Sequence, residues 1–369
     1  MAARGELPGW VNLGLLPLLN LTAAFAISGL IVLLLGENPL EAVRLLLFGA
    51  FGYEEAIGYT LFYATSFIFT GLAVAVAFHC GLFNIGGEGQ AYVGGLGVTL
   101  VGLHLGWLPW LLAVPLAILG AALFGGLWAF VPGWLQARRG SHVVITTIMF
   151  NFLAAALMTY LLVNVLIAPG QQIPESATLP ASVWLPQLHD LLAALGFAAS
   201  HSPLNLSFLF ALLCCLLVWL FVWQTRWGYA LRVVGKNEAA AVYGGISPAR
   251  QIIIAMTISG ALAGFVALNM VLGAQHRLTL DFTGGFGFVG IAVALMGRNH
   301  PVGIVLAAVL FGALYQGGSE LSFDMPALSR DIVVVIQGLV ILFAGALEHM
   351  FRPHLEALFA RPAPAEAVA

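Results

Sequence analysis

The stretch Gly81-Leu82-Phe83-Asn84-Ile85-Gly86-Gly87-Glu88-Gly89-Gln90 sets one acid, two amides and four glycines at the mouth of a long apolar run. An ionisable side chain at mid-bilayer costs about 2.5–3.5 kcal/mol on insertion scales, so such groups face a cavity, a partner or the interface. Glycine lets backbones approach closely or leave the helical path. Asn84, Gly86, Gly87, Glu88, Gly89 and Gln90 are therefore candidates for a pathway or its gate. The bland alternative is a tight loop with helix packing. For Glu88 a structural or gating role outweighs direct contact with a solute.

A second stretch, at 231–251, reads LRVVGKNEAAAVYGGISPARQ. Asn237 followed by Glu238, Ala239, Ala240 and Ala241, and stopped at Gly244-Gly245, has the N-cap, acidic first turn and glycine terminator of a short helix. Such a helix spans nothing. Ala239, Val242, Tyr243 and Ile246 need another surface, either the chain's own inner loops or a second protein. Polar residues also lie inside apolar runs: Thr146, Thr147, Asn151, Asn269, Gln316 and Gln337. Amides in lipid require partners, and most act as glue between helices. Asn151 is the preferred pathway candidate, because His142, Thr146 and Thr147 precede it on the same helix.

Other chemistry has no support in the sequence. Cys80, Cys214 and Cys215 show no metal or redox spacing and read as packing residues. Nine histidines occur without an HxxxH or HExxH arrangement, so neither a metal site nor a catalytic residue is expected. The single lysine, Lys236, precedes Asn237, whereas a Walker A loop requires GK[ST]. ATP and Mg would therefore have to be bound by a partner. A net charge of −3 with scattered basic residues gives no footprint for nucleic acid.

The elements that must position these residues are apolar. Hydrophobic residues make up 61% of the 369 and charged ones 8%, which excludes an ordinary soluble domain, where about 25% are charged. With about 20 residues per span, the long apolar windows fall near 13–35, 58–79, 85–104, 108–131, 143–166, 205–223, 251–273, 284–297, 301–318 and 331–348. The expectation is an all-α polytopic membrane protein of about ten transmembrane helices. The first run is too long for a signal peptide's apolar core, so it is expected to stay as a span. The eighth run is short and begins at a Gly-rich turn containing Gly285 and Gly287, so a tilted, broken or re-entrant helix is expected there.

Arg138, Arg139, Arg226, Arg232, Lys236, Arg250, Arg352 and Arg361 fall on one side of such an arrangement, which the positive-inside bias makes cytoplasmic. Both termini then lie in the cytoplasm, in keeping with Arg4, although Arg44, Arg277 and Arg330 fall outside. The expected organisation is an N-terminal segment with the first span (1–57), a membrane core (58–350) and a cytoplasmic tail (351–369). The core holds an outer loop at 168–204 and an inner loop at 224–250. A surface helix near 188–199 and a plain loop are equally compatible with the outer loop's pattern. FNIGGEG at 83–89 and FTGGFG at 282–287 echo one another five spans apart. That odd offset is compatible with inverted repeats whose broken helices meet near the midplane, and equally with the general abundance of glycine in membrane helices.

The residues also resemble a known family. FNIGGEGQ, GKNEAAAVYGGI and GFGFVGIAVALMGRNHPVG are similar, in order, to hallmarks of the permeases of ATP-binding cassette importers for branched-chain amino acids, ribose-type sugars and nucleosides. The likeness runs from about 59 to 345, and FNIGGEGQ with SHVVITTIMFNF is most similar to the larger permease of nucleoside uptake systems. The resemblance implies a type II-like importer fold in a bacterial inner membrane. It implies that Gly235, Asn237, Glu238, Ala239, Ala240, Ala241, Tyr243, Gly244 and Ile246 form the coupling helix seated on an ATPase subunit. It also implies a second, paralogous permease, an extracytoplasmic substrate-binding protein and alternating access for a nucleoside, nucleobase or simple sugar. A cation-coupled secondary transporter would share the spans and broken helices, but it calls for paired intramembrane ionisable residues, which are nearly lacking here. An intramembrane enzyme would need a catalytic pair that the spans do not offer.

Overall fold

The computed structural model describes residue 8, residues 10–11, 15–197 and 200–328, and then 332–336, 338–339, 342, 355–356 and 358–359. The described residues are helical, apart from loops and three isolated β-bridges. The elements are α1 (Leu16–Leu34), α2 (Pro39–Phe51), α3 (Glu54–His79), α4 (Gly87–Leu105), α5 (Trp110–Arg139), α6 (Val143–Asn164), α7 (Leu188–Ala194), α8 (Ser207–Trp219), α9 (Arg226–Lys236), α10 (Glu238–Tyr243), α11 (Pro248–Gly264), α12 (Phe286–Met296) and α13 (Pro301–Asp324). A π-helical turn, Leu220–Gln224, extends α8, and another, Leu268–Gln275, follows α11.

Contacts divide the chain into two compact units, residues 1–49 with 317–369, and residues 50–316. In the first, Gly36 takes the left-handed conformation and Pro39 starts α2, so α1 and α2 meet at a bend of 117°. Val32 and Ala42 pack there with Leu321, Leu328, Val333 and Ile336. Most of the tenth apolar run, with Arg330 and Gln337, and most of the C-terminal tail lie outside the described residues, as does Arg4.

The second unit is built around α3, whose most apolar window is 83% buried, while that of α6 is only 22% buried and turns leucines and phenylalanines outward. In water an apolar outer face would be costly, but in lipid it is the expected surface. Small residues bring the inner helices together. A side chain at Gly94 would stand 2.5 Å from the Cα of Gly264, and one at Gly133 would stand 2.7 Å from Met256 Cβ. Gly260 of α11 abuts the Gly125 carbonyl of α5 just as closely. Van der Waals fit of this kind holds helices together where lipid removes the hydrophobic drive.

Among the described residues six helices have the length and hydropathy to cross a bilayer, or seven if α1 and α2 form one bent span. Two of the other apolar runs fold as more polar or shorter helices. The third run folds as α4, whose 19 residues include Glu88, Gln90 and six glycines, too polar to qualify by composition and instead wrapped by protein. The eighth run folds as α12, with only 11 residues, its N-cap Gly285 left-handed at φ 85°. The outer loop contains the short helix α7 and a 3₁₀ turn, Ala181–Val183. It lies against the chain segment after α11. Trp184 stacks on His276 with centroids 3.9 Å apart, Glu175 accepts from Arg277 at 2.6 Å, and Trp110 Nε1 donates to the Trp184 carbonyl at 2.9 Å.

Candidate functional site

α3 ends at His79, and Gly81, at φ 75°, turns the chain back toward the helix it has just left. The next residues do not enter α4 directly. Asn84 is fully buried and forms a reciprocal amide pair with Gln90, its Nδ2 donating to Oε1 at 2.9 Å and Gln90 Nε2 returning a bond to Oδ1 at 3.1 Å. Asn84 Nδ2 also donates to Ser259 Oγ of α11 at 2.8 Å, and Ser259 donates to the Ala73 carbonyl of α3 at 2.6 Å. The amide of Gly86 donates to Asn84 Oδ1 at 2.9 Å. These bonds hold a non-helical backbone among three helices, the only way such a backbone is stable at membrane depth.

The first amides of α4 have no intrahelical acceptor, as at any helix start. Asn151 of α6 supplies one: its Oδ1 accepts from Gly89 N at 2.9 Å while its Nδ2 donates to the Ile85 carbonyl at 2.9 Å. Both the oxygen and the nitrogen of the amide are thus bonded to backbone. Thr147 is buried and bonds within its own helix, and His142 lies exposed at the helix start. Thr147 lies against Gly86 and Asn151 against Gly89, so these two meet the start of α4 together while His142 stays outside the group.

Glu88 performs the same service in the opposite direction. Its Oε1 accepts from Thr283 Oγ1 at 2.6 Å and from Gly285 N at 2.8 Å, and its Oε2 accepts from Gly287 N at 2.7 Å. Gly285 and Gly287 are the N-cap and second residue of α12. The carboxylate thus caps a helix that is not its own, in the position where the peptide dipoles favour negative charge. Gly287 must be glycine, because a Cβ there would run into the backbone of Glu88, and one at Gly87 would stand 3.4 Å from the Gly287 carbonyl oxygen. The two glycine-rich segments that echo one another in sequence are thus in direct contact, joined by one half-buried acid. Gly284 and Gly285, both with positive φ, face open space on their other side.

The inner loop folds as its pattern requires. Asn237 caps α10, its Oδ1 accepting from Ala240 N at 3.0 Å, and Gly244 and Gly245 end it, the latter at φ 73°. Glu238, Ala239 and Ala240 are exposed, Val242 is 61% exposed and Tyr243 95%. Ile246 is half-buried. Ala241 differs from the rest of its group. It is fully buried in the chain's own fold and supports α10 from within. Gly235 likewise serves the fold, its Cα lying against the Gly81 turn.

Residues 56–345 match the family described as the permease component of the branched-chain amino acid transport system. The chain belongs to this family. The guanosine ABC transporter permease protein of Bacillus subtilis is 38% identical over 337 residues, covering 90% of this chain and 93% of the relative. The glucose ABC transporter permease protein of Haloferax volcanii is 32% identical over 369 residues, covering 99% and 96%. The nucleoside ABC transporter permease protein of Lactococcus lactis is 32% identical over 338 residues, covering 89% and 90%. No solved structure matches the chain.

In this permease-family chain several residues that complete the site carry no signal of their own. Thr283 and Ser259 are ordinary hydroxyl residues of apolar runs, each bonded to a residue 195 or 175 positions away. Asn269 is buried at the centre of a second network. It donates to the Phe62 carbonyl and Ser66 Oγ of α3 at 2.9 Å each and accepts from Asn205 and Ser207 at 3.0 Å each. It ties the start of α8 to α3.

Proposed function

We propose that the chain is the larger permease subunit of an ATP-binding cassette importer for nucleosides, working by alternating access. The observation that carries the reading is α10: a capped helix with Val242 and Tyr243 in the open, in a permease-family chain whose single lysine cannot complete a nucleotide-binding loop. An exposed aromatic on a well-held helix is the anchor of a protein interface. Its partner is an ATPase subunit that binds ATP and Mg, and Asn237, Glu238, Ala239, Ala240, Tyr243 and Gly244 make the docking surface. The side of the membrane bearing α10 is the cytoplasm, as are both termini, and the outer loop receives an extracytoplasmic binding protein. A second, paralogous permease completes the pathway in a bacterial inner membrane crossed by about ten segments per chain, including the partial ones.

A nucleoside is placed first because the 38%-identical relative is named for guanosine and another for nucleosides; a simple sugar follows, from the relative named for glucose. Glu88 pins α4 to α12 and so governs when the two broken helices part, with Asn84, Gly86, Gly87, Gly89, Gln90, Asn151, Gly285 and Gly287 forming its frame. A cation-coupled transporter needs a free pair of intramembrane charges, and Glu88 already has three donors of its own. The test is co-purification. The chain, co-expressed with its ATPase and second permease, forms a complex that Tyr243→Asp abolishes while the permease pair stays folded. A complex indifferent to Tyr243→Asp and to Glu238→Arg overturns the docking assignment.

A further inference from the structure

The end of α12 is held as deliberately as its start. The turn to α13, Gly297-Arg298-Asn299-His300, contains two successive non-glycine residues in the left-handed region, Arg298 at φ 53° and Asn299 at φ 55°. Such conformations persist only where the surroundings impose them, and they concentrate at switch regions. The turn closes α12 as a Schellman-type cap, Asn299 N donating to the Ala294 carbonyl at 2.8 Å and Arg298 N to the Leu295 carbonyl at 2.9 Å, and His79, the last residue of α3, ties this cap to α3, its Nε2 donating to the Asn299 carbonyl at 3.0 Å. The imidazole lies edge-on to Trp223 at 4.9 Å, and Trp223 in turn meets His300 at 5.2 Å. Arg232 of α9 is close enough for its charge to act on the same ring. The backbone behind His79 is equally tight: a Cβ at Gly235 would fall 2.8 Å from Gly81 N and would strike the His79 carbonyl oxygen.

His79 therefore stands between two moving parts. On one side α9 leads through Gly235 and Asn237 into α10. On the other, the turn at 297–300 leads into α12, whose far end is gripped by Glu88. Two buried polar atoms at this junction make no hydrogen bond, Nε of Arg232 and Oδ1 of Asn299, one on each part. Buried polar groups are paired in settled structures, and an orphan calls for an account.

We propose that His79 is the positioning residue through which motion of α10 reaches α12, and that Arg232 and Asn299 are the groups that change partners in the stroke. This rests on the importer reading above. With α9 displaced, Gly235 presses on the Gly81 turn, His79 carries the Asn299 carbonyl with it, and the orphaned pair finds its bond in the alternate state. α12 then moves as a short rod held at both ends, and Glu88 transmits its displacement to α4.

The test uses the complete complex with its ATPase in proteoliposomes and reads solute transported per ATP hydrolysed. His79→Ala is expected to lower that ratio by about fivefold or more, the lower range of coupling between sites, while ATP hydrolysis itself continues. His79→Gln, which keeps a donor at the same reach, restores most of it. Asn299→Gly keeps the left-handed backbone and the carbonyl but removes Oδ1, and it too is expected to lower the ratio, whatever the folding of the alanine variant. An unchanged ratio in His79→Ala or Asn299→Gly, or an equal loss in His79→Ala and His79→Gln, overturns the proposal alone. Wild-type vesicles that take up nothing on ATP overturn the importer reading and the proposal with it.

Discussion

Replacing Glu88 by glutamine exchanges one oxygen for an amino group, and the geometry says which bond fails. The remaining oxygen keeps the two donors now on Oε1, Thr283 Oγ1 and Gly285 N, which lie at 2.6 and 2.8 Å. The new NH₂ then faces Gly287 N–H, an existing donor at 2.7 Å, so donor opposes donor. A hydrogen bond to a charged group contributes about 1.5–3 kcal/mol, and an orphaned buried donor costs about 1–3 kcal/mol. Allowing for overlap between these, the contact between α4 and α12 weakens by roughly 2–4 kcal/mol. Hydrogen exchange by mass spectrometry over peptides covering 283–290 reads this directly. Protection of these amides is expected to fall by about 30-fold or more, the equivalent of 2 kcal/mol at about 1.4 kcal/mol per factor of ten. Thr283→Val is expected to lose less, and the double variant less than the sum, because both act on one carboxylate. Unchanged exchange in Glu88→Gln, or strict additivity with Thr283→Val, refutes the reasoning that Glu88 caps α12.

Asn269→Leu is expected to destabilise the detergent-solubilised protein by about 2–4 kcal/mol, read by thermal unfolding, since it strands buried groups on α3, on the outer loop and on α8. Ala241→Leu should lower stability through overpacking by about 1–3 kcal/mol, whereas Tyr243→Ala should leave the melting temperature almost unmoved and weaken ATPase binding. Burial pushes the His276 imidazole below its ordinary value, with the neighbouring Arg277 charge acting the same way. The unfolded loop therefore binds the proton more readily, and the docking of the outer loop is expected to loosen as pH falls below the ordinary histidine value of about 6.5. Limited proteolysis at 165–206 across that range checks it, and cleavage that is insensitive to pH, or faster at alkaline pH, contradicts it.

What the sequence revealed and what it hid follow from the range of the interactions. α10 was legible to the residue, because Asn237, Glu238 and the Gly244-Gly245 stop act within eight positions of one another. Which face it turns inward was not, since a helix of six residues with alanines on every side has no apolar stripe, and Ala241 could be sorted from Ala239 and Ala240 only by its neighbours. The glycine echo pointed to the pairing of 83–89 with 282–287, yet nothing local identifies Thr283 as the hydroxyl that bonds Glu88. His79 was invisible for the same reason: a lone histidine at a helix end reads as an ordinary interfacial residue. Apolarity located the runs but not how each is covered, because it reports burial without saying by what. α4 is sheathed in protein and tolerates an acid and an amide, while α6, of similar length, leaves most of its surface uncovered by the chain.

The central claim is that this permease works only when driven by a separate ATPase. The direct measurement is uptake of radiolabelled guanosine into proteoliposomes containing the permease pair and its ATPase, supplied with the binding protein. The account predicts uptake that requires ATP and is lost in Tyr243→Asp, with no response to an imposed proton or sodium gradient. Uptake that follows such a gradient without ATP would contradict it.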